Sequence, residues 1–175
     1  MTDAARLAPE LELSVETACL EWRRTCPDCE RLASEAAETA LLRGLAQRRI
    51  APVSPVVLGL ILTDDAEQRR LNRQHRGQDA STNVLAFSAA DAAAPLPPGA
   101  PLLLGDVVLA FETVRREAAE QRKPFSHHLR HLVAHGTLHL LGYDHESATE
   151  AAAMESLECE ILALLGVPDP YGDTM

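Results

Sequence analysis

Residues 56–63, VVLGLILT, are apolar at almost every position and give way to two aspartates after eight residues. Side chains of a strand alternate between faces, so a run this short that is apolar at both parities has the pattern of a central strand of a sheet. Weaker strand signals surround it: Leu11, Leu13 and Val15 alternate with polar residues, and residues 83–87 and 102–109 form two further apolar runs. The proline-rich stretch DAAAPLPPGAP at 91–101 separates the last two and reads as a surface loop.

The other segments have helical spacing. Leu32, Ala36, Ala40, Leu41 and Leu45 predict a helix over 29–49, broken by Pro52 and Pro55. Asp64 or Asp65 can cap a helix that carries Leu71 and Asn72 and ends near Gly77. Later come 111–121, 126–141 after Pro124, and 147–165 ending at Gly166. Strands early and helices late predict an α+β chain, a mixed sheet with about five helices packed on it. With 175 residues, no repeat and no long linker, residues 1–175 read as a single domain.

No stretch approaches the roughly 18 apolar residues of a membrane helix and MTDAARLAPE lacks a signal-peptide pattern, so the expectation is a cytoplasmic protein with no membrane partner. Four cysteines, Cys19, Cys26, Cys29 and Cys159, are read as thiols; Cys26-Pro-Asp-Cys29 has redox or half-site spacing, but one pair is no metal or redox site by itself. The net charge of −10 would repel a nucleic acid if it were evenly spread. It is not: eight acidic and no basic residues lie from Asp144 onward, leaving 16 basic against 18 acidic residues in 1–143. Fifteen of the basic residues are Arg, whose planar fork matches phosphate oxygens, although an arginine- and alanine-rich composition also arises from genome bias.

Six of seven histidines lie in SHHLRHLVAHGTLHLLGYDH, 126–145. On a helix His127, His131, His135 and His139 are successive i, i+4 neighbours on one face. Residues eight apart are separated by about 12 Å along the axis, so one ion with ligand bonds of about 2.0–2.1 Å accepts only one adjacent pair. His135 and His139 are favoured because Gly142 follows within a turn and can reverse the chain, delivering His145 to the same point. His-x3-His-x5-His supplies three protein ligands and leaves a fourth tetrahedral position open, the layout of a catalytic zinc site. His131 is read as a packed helix residue or a group supporting the ligands, and His127 and His128 as solvated. Metzincin proteases share the spacing but carry a Glu general base after the first His; here that residue is Gly136. Asp144 is placed either to orient a ligand histidine or to cap the next helix.

HGTLHLLGYDH, 135–145, resembles the signature of the YbeY family, bacterial metal-dependent endoribonucleases of ribosomal RNA maturation. LNRQHRGQDASTNVLAF, 71–87, and GDVVLAFE, 105–112, resemble two further blocks in the same order, so the likeness covers about 58–165. His75, Asn83 and Ala86 depart from the family's usual Tyr, Asp and Ser. The resemblance implies an α/β fold with a mixed four-stranded sheet and a zincin-like site. It implies zinc on His135, His139 and His145, and a functional role for Arg76. By its own position Arg76 is either a solvated member of the group Arg69, Arg70 and Arg73 or, at the end of a capped helix, a clamp for a phosphate.

The expectation is a single-strand-specific, zinc-dependent endoribonuclease, with Arg76 and the metal stabilising phosphoryl charge. Its implied substrates and partners are single-stranded RNA, ribosomal RNA precursor at the small-subunit 3′ end, and ribosomal particles or proteins in ribosome quality control. Ni2+ or Co2+ would also suit three imidazoles. The rivals are a zinc metallopeptidase and a ribosome assembly factor whose metal is mainly structural.

Overall fold

The apolar run at 56–63 lies at the heart of the computed structural model, which describes residues 9–49, 55–89, 97 and 100–172. In chain order the elements are β1 (Leu11–Thr17), α1 (Glu21–Thr25), α2 (Cys29–Gln47), β2 (Val56–Thr63), α3 (Asp65–Arg76), β3 (Val84–Ser88), β4 (Leu102–Ala110), α4 (Phe111–Glu120), α5 (Phe125–Leu140) and α6 (Ala148–Leu164). Pro52 and most of the expected loop at 91–101 lie outside the described residues.

The four strands form one mixed sheet in the order β1-β2-β4-β3. β1, β2 and β4 are parallel, and β3 is an antiparallel edge strand on β4. Central β2 buries Val56, Leu58, Leu60 and Leu62 completely, and Leu60 and Leu62 pair with Val107 and Leu109 on the same face. α2 and α5 pack against one another and the sheet, completing this core. The opposite face of β2, with Val57, Gly59 and Ile61, is only half buried, so its apolar residues are not covered equally on the two sides.

Local signals set the helix ends. Asp64 accepts a hydrogen bond from the Glu67 amide at the start of α3, and Gly77 closes it in a left-handed conformation. Ser147 and Glu150 form a reciprocal capping box on α6. Six helices are described rather than five; the additional one, α1, is a single turn, too short to show a period. Its Trp22 is fully buried, edge-on to Phe111 at 5.4 Å, and donates from Nε1 to the Thr63 carbonyl at 2.8 Å. Cys26 and Cys29 are free and buried in this core, where desolvation pushes both thiols above their ordinary pKa, the reverse of what a redox or metal-binding pair requires.

Gly136 marks the closest approach of α5 to the sheet. A Cβ there would lie 2.7 Å from Val107 Cγ1 and 3.2 Å from Val84 Cγ2, both on stiff β-branched side chains. Gly136→Ala should therefore cost about 1–3 kcal/mol through overpacking, and a denaturant melt with an unshifted midpoint would refute this contact.

Candidate functional site

The amphipathic period of α5 carries His135 and His139 out of its C-terminal half. The helix stops at Leu140, and Gly142, with φ +90°, turns the chain as its position after the pair predicts. The turn is fastened to α2: the Tyr143 hydroxyl donates to the Gly44 carbonyl at 2.9 Å, Arg48 Nη2 to the Gly142 carbonyl at 2.9 Å, and the Arg48 guanidinium stacks 4.2 Å above the Tyr143 ring. These contacts fix the segment that delivers His145.

The three imidazoles converge. Ring centroids lie 4.5 Å apart for His135 and His139, 5.0 Å for His139 and His145, and 5.9 Å for His135 and His145. Nε2 of His135 faces Nε2 of His139 at 3.0 Å, and one nitrogen from each of the three rings lies within 4.8 Å of the others. Ligand bonds of about 2.0–2.1 Å at tetrahedral angles place donor atoms roughly 3.3 Å apart. The donor set and spacing fit one such ion. Burial, reinforced by the neighbouring His135 and His145, lowers the pKa of His139 and favours the neutral imidazole that a metal ligand must present.

Sequence reasoning missed the group that holds this cluster. Glu158 of α6 is fully buried, and its carboxylate accepts from His135 Nδ1 at 2.5 Å, from His131 Nε2 at 3.1 Å and from the Tyr171 hydroxyl. Burial alone would raise its pKa, but hydrogen bonds from His131, His135 and Tyr171 with the charge of His135 outweigh this and bring it down to about 2. An ionised carboxylate only accepts, so the neutral form of His135, the form that a metal ligand presents, carries its proton on Nδ1 and leaves Nε2 bare. A signal was present: Met154, Leu157 and Ile161 mark the inward stripe of α6, and Glu158 falls on it. It was counted with the acidic C-terminal charge instead.

His131 supports the cluster rather than joining it, as its place one turn before the pair suggests. His128 is not solvated: it is buried, its Nε2 lies 2.8 Å from Glu117 of α4, and desolvation lowers its pKa. The expectation failed because the preceding helix α4 folds back over the start of α5, a contact that the period of α5 alone does not show. Asp144 fills neither expected role: Ser147 caps α6, and Asp144 accepts from the His145 amide at 2.7 Å.

Arg76 ends α3, and its guanidinium donates to the Ala86 carbonyl and lies 5.1 Å from the Phe87 ring. Arg69 and Arg70 are paired with Asp79 and Glu67, whereas Arg76 is in no ion pair among the described residues. It lines a cleft of about 350 Å3 together with Asn83, His135 and His139, so the structure brings it beside the histidines.

The comparisons agree with this architecture. The family model described as Endoribonuclease YbeY matches residues 26–166. An endoribonuclease YbeY of Paramagnetospirillum magneticum is 49% identical over 93% of this chain and 97% of its own, and one of Rhodopseudomonas palustris strain BisA53 is 52% identical over 83% and 86%. A solution structure of a Thermotoga maritima protein covers 93% of this chain and 99% of its own with a TM-score of 0.51 at 24% identity, a likeness of fold alone. Among the described residues no helix is long and apolar enough to cross a membrane. With a family match across most of its length and relatives near half identity over nearly the whole of both chains, this chain belongs to the YbeY family of endoribonucleases.

Proposed function

We propose that this chain is a metal-dependent endoribonuclease that cuts single-stranded RNA, with ribosomal RNA precursor at the small-subunit 3′ end as its substrate and ribosomal particles in the cytoplasm as its setting. The observation that carries the reading is the convergence of His135, His139 and His145, with His135 and His139 lining one cleft together with Arg76, which no carboxylate pairs with among the described residues. The names of the relatives support RNA as substrate.

His135, His139 and His145 would hold one Zn2+, with Ni2+ or Co2+ as substitutes. Such an ion supplies Lewis acidity toward a phosphoryl oxygen and lowers the pKa of water toward 7. The chain's own groups do the rest. Glu158 keeps the proton on Nδ1 of His135, so Nε2 presents a lone pair. Arg76 binds a phosphate oxygen of the substrate and stabilises the charge that develops there.

A peptidase of the metzincin type needs a glutamate at Gly136, where the backbone packs so closely on Val107 that even a Cβ is crowded. The deciding experiment incubates metal-loaded protein with single-stranded RNA and, separately, with casein, using His135→Ala as control. RNA cleavage without proteolysis is expected, weakening steeply with salt. Proteolysis lost in the control would favour the peptidase, and binding to ribosomal particles without any cleavage would favour an assembly factor. Arg76→Ala should retain the metal and the fold yet cut RNA roughly 10- to 100-fold more slowly, the equivalent of a hydrogen bond to a charged group at about 1.5–3 kcal/mol; wild-type turnover would return Arg76 to the solvated surface.

A further inference from the structure

The Arg76 cleft is not the end of the groove. Toward the N-terminal half of α5 lies a second cleft of about 370 Å3, with Gln121, Lys123, His128 and His131 in its wall. Asn83 and His135 line both, so the two clefts adjoin at the histidine cluster. Each falls in the size range of small-ligand clefts, roughly 300–1,000 Å3, room for about one nucleotide.

Lys123 is the only lysine in a chain with fifteen arginines. It sits in the turn between α4 and α5, and its ammonium donates to the Pro170 carbonyl at 2.8 Å. Among the described residues no carboxylate pairs with it. Asp169, whose carboxyl is lowered first by its bond from the Tyr171 amide and then by the Cys159 thiol, senses Lys123 only as a weaker, more distant charge. Glu117 is occupied by Asn83 Nδ2 and the His128 ring. An ammonium has three donors and one is used, so two donors remain for a ligand. Arg76 has the same character in the first cleft: its guanidinium donates to the Ala86 carbonyl, and no carboxylate pairs with it among the described residues.

We infer that Lys123 and its cleft form a second nucleotide subsite, so that an RNA strand crosses the histidine cluster with one phosphate held by Arg76 and the next, on the other side, by Lys123. The inference rests on the ribonuclease reading. It accounts for a groove longer than a single phosphate clamp needs, and for a cation at each end of it that forms no ion pair among the described residues.

A lone lysine allows a direct test. His139→Ala protein, unable to cleave, is treated with an amine-acetylating ester with and without a single-stranded RNA oligonucleotide. Acetylation of Lys123 is read by peptide mass spectrometry against the N-terminal amine. Lys123 should be protected several-fold by RNA. Lys123→Ala in the same background should weaken RNA binding roughly 3- to 10-fold and lower the salt slope by about one, while Lys123→Arg retains both. Because Lys123→Ala also loses the bond to Pro170, the protection measured on the unmutated lysine decides if that variant misfolds. Binding that depends on Arg76 with Lys123 equally acetylated in both conditions would overturn the subsite and leave the ribonuclease reading standing. No RNA binding at all would overturn both.

Discussion

His145→Ala protein is expected to emerge from desalting with its metal gone, where the unaltered chain retains about one equivalent, and to lose RNA cleavage with it. His145 offers one of three candidate ligand nitrogens yet is exposed in the turn after α5, so its removal leaves no cavity in the core. Two histidines cannot close a three-ligand site, and His131 cannot substitute because its Nε2 is held by Glu158 and it lies two helical turns, about 12 Å along the axis, from His139. His139→Ala should behave in the same way from inside the helix. Elemental analysis checks both variants, with circular dichroism to establish that they are folded. A full equivalent of metal in folded His145→Ala protein would sink the ligand assignment.

Glu158→Gln should weaken metal affinity by about 10- to 100-fold, the usual consequence of removing the group that orients a ligating histidine. The amide keeps the shape but loses the charge and one acceptor oxygen, so it no longer matches donation by His135, His131 and Tyr171 together. The tautomer that bares Nε2 of His135 then has no anion to hold it. Glu158→Ala goes further, leaving buried donors without an acceptor at about 1–3 kcal/mol. Competition against a chromophoric chelator measures affinity, and a thermal melt of the metal-free protein measures stability. A lowered melting temperature with unchanged affinity would make Glu158 a structural residue of the core and nothing more.

His145 and Glu158 differ in how much of their role the local sequence carries. The histidine triad was visible because its determinants are neighbours in the chain: an i, i+4 pair, a glycine one turn later and a third histidine beyond it. Glu158 is 23 residues from His135, and on its own helix it differs from the surrounding glutamates only by its place on the apolar stripe. Glu160, two residues on, is a surface partner of Arg43. Periodicity can assign each glutamate to a face but cannot say which imidazole waits across the interface. His128 shows the same limit, since its burial comes from α4.

The four strands, the five longer helices, the aspartate cap of α3, the turn at Gly142 and the three candidate ligands are legible in the chain, because each follows from hydrogen bonding, side-chain period or backbone freedom within a few residues. It is packing that sets β4 between β2 and β3, braces His135 with Glu158 and Tyr171, and puts Arg76 and Lys123 in two adjoining clefts beside the cluster. Those relations join elements far apart in the chain. They are set by which apolar faces bury against one another, a property of the packed whole that no local pattern contains.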